Sequence, residues 1–555
     1  MTSPYDTDLD VAIIGAGFAG LYALQHLRGL GLRCALLEAG EDVGGTWFWN
    51  TYPGARVDVE SLEYSYSFDD DLQQDWVWSE RYAGQPEVHA YLRHVADRFD
   101  LRRDIRFLTT VQRLDLDGDR WRVTTDRDAL TARFVVGAVG FLSAAYLPAI
   151  PGLREGAFDG PVVHSGRWPK DGLEVAGRRV AIIGTGASGV QLVPRIAETC
   201  AHLDVFQRSP HWCVPLQNGP MPDGYQEMVK ANYGRIRELE KVAFGGFTLI
   251  AHEIADPPPP SAYPASNSAL AADPEERERE YEFRWASGGL SFYLSYTDLL
   301  FDEDANATLR EFFERKIRAQ VDDPAVADLL IPTDHCIMAK RLCGETGYYR
   351  AFNRENVDLV DVRENAIAEI TADGVRLADG TEHPADVLVC ATGYDAGSGP
   401  MLRIPTQGRD GSLQDHWAEG TRTHLGVMAH GFPNLFIVDG AQSPAAFYCP
   451  PLLVQHQSRW IGRTIQQVDE RGARTVEPTP EAVAEWGAIV AAIGQATLLP
   501  TAVSQYMGAN IPGKPVECLS FLGGFGEYAR RTELALDLDE GQFVLDGTAA
   551  TEVPA

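Results

Sequence analysis

Two glycine-rich turns carry the clearest chemical signal in this chain. Gly15-Ala16-Gly17-Phe18-Ala19-Gly20 and Gly184-Thr185-Gly186-Ala187-Ser188-Gly189 share the pattern GxGxxG. In such a turn the first glycine allows a sharp reversal, the second admits a pyrophosphate against the backbone, and the third lets helix and strand pack closely. The pyrophosphate then rests on the N-terminus of the following helix. One match is weak evidence, whereas two in the same setting point to two dinucleotide sites.

The ends of the strands that follow separate the two sites. Glu38 stands eighteen residues past Gly20, where a carboxylate accepts hydrogen bonds from ribose hydroxyls and repels a 2′-phosphate. That suits FAD or NAD. Arg208 stands nineteen residues past Gly189 and is followed by Ser209, a guanidinium and a hydroxyl suited to a 2′-phosphate. The second site is therefore expected to take NADP(H). One unphosphorylated and one phosphorylated dinucleotide imply a flavin reduced by NADPH. Glu41 to Asp58 holds no cysteine pair of the kind a flavin disulfide reductase needs, which leaves molecular oxygen as the expected electron acceptor.

The elements that must hold these groups are legible around them. An apolar run, Leu9 to Ile14, leads into the first turn, Leu21 to Leu30 has helical periodicity, and a second run spans Arg33 to Leu37. The same grammar recurs as Arg179 to Ile183, the second turn, a helix-like stretch and Leu203 to Phe206. Hairpin signals at Asp117-Gly118 and Asp373-Gly374 each precede another apolar strand, Phe134 to Gly140 and Val387 to Gly393. Those strands end alike, in Ala138-Val139-Gly140-Phe141 and Ala391-Thr392-Gly393-Tyr394. The near-repeat predicts a second unit inserted into the first, with the chain returning near residue 385.

Charged, helix-favouring segments such as Glu275 to Arg284 and Asp304 to Val321 predict a helical excursion, broken by the connector Pro257 to Pro260. The expected fold class is α/β, with two dinucleotide-binding, Rossmann-like domains, the NADP domain inserted in the FAD domain, and a helical subdomain. The boundaries read 1–145 and 385–540 for the FAD domain, 146–220 (with the linker) and 331–384 for the NADP domain, and 221–330 for the helical subdomain. Residues 541–555 are expected to form a frayed tail.

Composition excludes several classes. With 45% hydrophobic and 23% charged residues the chain is an ordinary globular protein. Its 48 basic and 79 acidic residues leave a net charge of −31, which repels nucleic acid and anionic lipid, so neither is expected as a partner. Met1 to Asp10 has no basic leader, and no apolar run is long enough to span a bilayer, so a cytoplasmic monomer is expected. Eight cysteines, at 34, 200, 213, 336, 343, 390, 449 and 518, show no CxxC or paired spacing, so no disulfide framework and no metal site is expected.

Between the two units lies Phe158-Asp159-Gly160-Pro161-Val162-Val163-His164-Ser165-Gly166-Arg167-Trp168-Pro169, which resembles the FxGxxxHxxxW(P/D) fingerprint of type I Baeyer–Villiger monooxygenases, class B flavoprotein monooxygenases. Gly45-Thr46-Trp47, Tyr52-Pro53-Gly54 and Asp58 match a second pattern of that family, and Lys340-Arg341-Leu342 before Tyr348-Tyr349 matches the segment that supplies its active-site arginine. Order and spacing agree from about residue 8 to about 530. The resemblance implies an FAD enzyme that uses NADPH and oxygen to convert ketones to esters or lactones through a flavin peroxide. By position, Gly15, Gly17, Gly20, Glu38, Thr46, Trp47, Asp58, Tyr64 and Val111 are expected to contact FAD. Gly184, Thr185, Gly186, Ser188, Gly189, Arg208, Ser209 and Lys340 are expected to hold NADP. His164 and Trp168 are expected to couple domain motion rather than to act chemically.

Arg341 is the expected catalytic group, because a guanidinium stays charged and offers several donors in a rigid fork to a developing oxyanion. Asp58 is expected to accept from Arg341 and orient it. Where the family commonly has Trp after the serine of Ser504 to Lys514, this chain has Gln505, whose amide can still hydrogen-bond a ribose. Phe447, Tyr448, Pro450, Pro451, Leu452 and Leu453 are expected to form an apolar pocket wall. Two other readings fit the motifs: a flavin monooxygenase attacking nitrogen or sulfur, and an NADPH oxidase or redox sensor without an organic substrate.

Overall fold

The computed structural model describes residues 8–253 and 266–546. The connector Pro257 to Pro260 and the chain from 547 onward lie outside the described residues.

The chain begins with β1 (Asp8–Ile14), which runs into the first glycine turn and the helix Phe18–Gly29, and β2 (Cys34–Leu37) then pairs parallel to β1. Val11 to Ile14 are all buried, the continuous apolar strand that a sheet covered on both faces requires. A short β3 (Ile105–Arg106) extends the sheet beside β2. β4 (Val111–Asp117) and β5 (Arg120–Thr125) form the hairpin turning at Asp117-Gly118, and β6 (Ala129–Gly137) lies antiparallel to β5 and parallel to β1.

The fingerprint segment supplies β7 (Val162–His164), the first strand of a second sheet. That sheet continues with β8 (Arg179–Ile183), the second turn, the helix Ala187–Ala197 and β9 (His202–Gln207). β10 (Cys213–Pro215) leaves for the helical excursion and pairs with β11 (Cys343–Glu345) on the way back. The excursion holds the helices Tyr225–Ala231, Tyr233–Val242, Pro274–Ser287, Glu303–Arg318 and Pro324–Leu330. Asp273, Asp302 and Asp323 cap the last three by accepting from the backbone N–H groups of Glu276, Ala305 and Ala325.

β12 (Val357–Asp361) pairs with β9, and β13 (Ile367–Ile370), β14 (Gly374–Leu377) and β15 (Glu382–Pro384) form a small antiparallel sheet. β16 (Val387–Cys390) pairs on one side with β8 and on the other with β7. The chain rejoins the first sheet through β17 (Thr406–Gln407) on β4 and β18 (Leu435–Ile437) on β6. The full orders are β17-β4-β5-β6-β1-β2-β3, with β18 also on β6, and β12-β9-β8-β16-β7.

Two expectations shift. The return to the first sheet falls between Cys390 and Thr406 rather than near 385, because β16 pairs with β7 and β8 and so still belongs to the inserted sheet. The chain is also not frayed from 541 onward: Phe543–Asp546 is a strand paired antiparallel with Thr475–Pro478. No helix among the described residues is long and apolar enough to cross a membrane.

Candidate active site

The two glycine turns are built alike. Gly15 and Gly184 have positive φ (101° and 109°), and a Cβ on either would meet the carbonyl of Ala138 (2.6 Å) or Ala391 (2.5 Å). The twin closing segments thus lie under the two turns in equivalent places. The third glycines, Gly20 and Gly189, press on the carbonyls of Gly15 and Gly184, so helix and strand meet with no side chain between them. The helices Phe18–Gly29 and Ala187–Ala197 start at Gly17 and Gly186, and no side chain caps either start. Such ends leave backbone N–H donors for a pyrophosphate. At the first turn a second backbone closes in: Gly45 has φ 52°, and a Cβ there would sit 2.8 Å from Gly17 Cα.

Glu38 is buried at the end of β2, and its two oxygens accept from Ala16 N and Gly40 N at 2.7 Å each. Burial raises its pKa while those two bonds oppose the rise. Each carboxylate oxygen keeps a lone pair for a ribose hydroxyl. Thr46 and Trp47 open the short helix Thr46–Trp49, and Trp47 Nε1 donates to Tyr64 Oη (3.3 Å) with the rings edge-on at 5.7 Å. Val111 opens β4 in the apolar cluster that also holds Ile14 and Leu37. Asp439, which sequence reasoning missed, follows β18 at the carboxyl end of the first sheet. It is half-exposed as a residue, yet its Oδ1 is buried without a hydrogen-bond partner, and burial raises the carboxyl pKa to about 7. An orphaned acceptor at the carboxyl end of a Rossmann sheet fits a polyhydroxylated dinucleotide.

In the second unit Arg208 is exposed beyond β9. Thr185 Oγ1 donates to the carbonyl of Ser209 (3.0 Å), and Lys340 Nζ donates to Ser209 Oγ (2.7 Å). The structure therefore gathers Thr185, Arg208, Ser209 and Lys340 beside the turn; Ser188 and Gly189 lie in the first turn of the helix above it. Asp334 joins them unannounced: Ser209 Oγ donates to its Oδ2 (2.8 Å), and Lys340 Nζ lies 3.6 Å away. Burial works against the Asp334 carboxylate, but bonds from His335 and Ser209 hold it well below the ordinary range. Burial also lowers the Lys340 pKa, with the Arg208 charge adding to the effect.

Arg341, next in sequence to Lys340, points the other way and donates from Nη2 to Asp58 Oδ2. The pair crosses between units. Asp58 follows the Tyr52-Pro53-Gly54 turn, which docks on the second unit: Tyr52 Oη donates to Gln191 Oε1 (2.8 Å), and Gln191 Nε2 donates to the carbonyl of Arg56 (3.1 Å). Asp58 raises the Arg341 pKa far above its usual value, against burial, so the guanidinium stays charged. Tyr506 and Tyr293 pack around it, and the sequence pointed to a role for neither. Burial pushes the Tyr506 phenol up to about 12, with Arg341 pulling the other way. Phe447 packs on Tyr506 at 4.4 Å, whereas Tyr448 stacks on Phe525 and Leu453 is fully buried, so only part of the expected apolar wall faces this site. Gln505 opens the turn Gln505–Met507 and is half-exposed; the neighbouring Ser504 Oγ is buried without a partner.

The fingerprint bridges the units. His164 Nδ1 accepts from Gly166 N (3.0 Å), so Nε2 carries the proton toward the Gly393 carbonyl (3.1 Å). Trp168 is buried, and its carbonyl accepts from Thr51 Oγ1 (3.5 Å).

Two Rossmann-like units that meet at a charged arginine–aspartate pair define an oxidoreductase built for two dinucleotides. A family described as pyridine nucleotide-disulphide oxidoreductase matches residues 12–218. The chain is 38% identical over 532 residues to the acetone monooxygenase (methyl acetate-forming) of Gordonia sp. (strain TY-5), covering 95% of this chain and 97% of that one. It is 40% identical over 561 residues to a Baeyer-Villiger monooxygenase of Pseudooceanicola batsensis, covering 99% and 98%. A solved structure of an oxidized steroid monooxygenase bound to NADP superposes with a TM-score of 0.89 at 45% identity, covering 97% and 99%. The chain belongs to the Baeyer–Villiger monooxygenase family.

Proposed function

We propose that this chain oxidises ketones to esters or lactones with FAD, NADPH and molecular oxygen, and that Arg341, oriented by Asp58, stabilises the negative charge that develops in the reaction. The Arg341–Asp58 pair, made by one residue from each nucleotide unit, carries this reading. Bound FAD, once reduced by NADPH, supplies the activation of oxygen for insertion beside the ketone carbonyl.

The protein's own residues then have separable tasks. The bare starts of Phe18–Gly29 and Ala187–Ala197 hold the pyrophosphates, Glu38 and Asp439 accept from hydroxyls of the first dinucleotide, and Arg208, Ser209 and Lys340 hold the 2′-phosphate of the second. Asp334 occupies the hydrogen-bonding capacity of Ser209 and Lys340, so phosphate binding exchanges one anion for another there. Asp58 takes one corner of the Arg341 fork, leaving further donors for an oxyanion near the Tyr506 and Phe447 rings, which exclude water. Eight unpaired cysteines support a reducing, cytoplasmic location, and a monomer is part of the same proposal.

Arg341→Ala tests the reading. NADPH oxidation with peroxide release is expected to continue, while ester formation falls by about a hundredfold or more, the loss typical of a removed oxyanion donor. Supplying a ketone and a thioether together identifies which centre is oxidised. Ester yield equal to the parent's in the alanine variant would overturn the role of Arg341.

A further inference from the structure

The outer corner of the second sheet holds a cluster that plays no part in the oxidation. His202 and Asp204 stand two residues apart on β9 and so share a face. Asp358 on β12 is the direct register partner of Asp204. His383 on β15 comes down on the same face, with its ring edge-on to Phe206 at 5.2 Å and its Nδ1 3.3 Å from Asp204 Oδ1. His202 Nε2 is 3.5 Å from Asp204 Oδ1 and 3.4 Å from Asp358 Oδ2.

Two features set this cluster apart from an ordinary polar edge. Carboxylates placed directly opposite on neighbouring strands repel each other, and the Asp204 side chain is only 7% exposed, so water screens the repulsion poorly. No lysine or arginine among the described residues pairs with either carboxylate. The separations also exceed the roughly 2.7–3.2 Å of an N–H···O hydrogen bond. The two separations from His202 match instead the edges, about 3.3–3.6 Å, of a tetrahedron whose metal–ligand bonds are about 2.0–2.2 Å. The donor atoms of His202, Asp204 and Asp358 all lie within 4.8 Å of one another.

We propose that His202, Asp204 and Asp358 bind one divalent transition-metal ion, with water completing its coordination and His383 standing beside Asp204 as a neighbour rather than a ligand. One imidazole and two carboxylates form a mixed nitrogen–oxygen set, which favours Zn²⁺ over Mg²⁺ or Ca²⁺. The ion neutralises the facing carboxylates and ties β9 to β12. It thereby braces the strand whose far end leads to Arg208. Local spacing cannot reveal such a site, because its ligands come from two strands more than 150 residues apart.

The test uses untagged holoenzyme, stripped of metal by a chelator and titrated calorimetrically with ZnCl₂ or MgCl₂. One equivalent of Zn²⁺ is expected to bind and raise the melting temperature, and Mg²⁺ to do neither. Asp358→Asn and His202→Gln replace side chains that are 66% and 36% exposed. Each is expected to weaken Zn²⁺ binding by about tenfold or more, with FAD content and zinc-free NADPH oxidation unchanged. No uptake of Zn²⁺, equal uptake of Mg²⁺, or parental Zn²⁺ affinity in either variant overturns the proposal.

Discussion

Adjacent residues divide the chemistry at the centre of this protein. Lys340 turns toward Ser209 and the phosphate cradle, while Arg341 turns toward Asp58. Arg208 stands exposed at the mouth of that cradle, so its contribution is to ground-state binding. Arg208→Ala is expected to raise the NADPH KM about ten- to a hundredfold with kcat nearly unchanged, and to narrow the preference over NADH, since a hydrogen bond to a charged group is worth about 1.5–3 kcal/mol. Steady-state kinetics with both coenzymes checks this. Arg208 was legible in the sequence because charge complementarity predicts a cation at the strand end, and Lys340 through the family resemblance alone. Asp334 was not, because an acid beside a phosphate site contradicts the same rule and is recognisable only through its bonds to Ser209 and His335. Asp439, Tyr506 and Tyr293 were hidden for a different reason: each reaches its site through a loop or short turn whose path no periodicity encodes.

At the scale of elements, glycine geometry carries most of the specification. Gly45→Ala places a methyl group against the Gly17 backbone at a positive φ, a strain of about 1–3 kcal/mol. The variant is expected to be purified with a depleted flavin content, measured by absorbance after denaturation. A second prediction concerns the long helix Pro450–Glu470, where His456 Nε2 meets Thr532 Oγ1 (2.7 Å) on the helix Phe525–Leu534. Burial, aided by the Arg459 charge, lowers the His456 pKa to about 4. The stability this neutral ring contributes is complete above about pH 6.5 and declines as pH falls toward 4, because the unfolded chain then takes up a proton that the fold excludes. Between pH 7.5 and 5 the parent is therefore expected to lose about 2 kcal/mol more than His456→Asn. Melting curves at the two pH values check the sign. Strand–turn–helix units and hairpins were legible because their patterns are local. The pairing of β10 with β11 was not: it sets Cys213 opposite Cys343 across an excursion of more than a hundred residues, which no cysteine spacing announces.

Over the whole molecule, the insertion makes each unit finish the other's work. The inserted sheet opens with the fingerprint strand β7 and closes with β16, and His164 holds those two strands together through the Gly393 carbonyl. The Tyr52–Gln191 contact then fixes how far Asp58 stands from Arg341. The near-repeat of glycine turns made this architecture legible, while the place where the chain rejoins the first sheet was misread because both closing strands carry the same signature. The uncapped start of Phe18–Gly29 and the unpartnered Asp439 oxygen have a further consequence, for production rather than catalysis. A protein that leaves such groups for its prosthetic group to satisfy borrows part of its stability from riboflavin metabolism. Free FAD at a hundred times its Kd adds about 2.7 kcal/mol to the fold. Cultures short of riboflavin are therefore expected to yield protein that melts earlier and aggregates more, and adding FAD to the lysate is expected to restore the melting temperature.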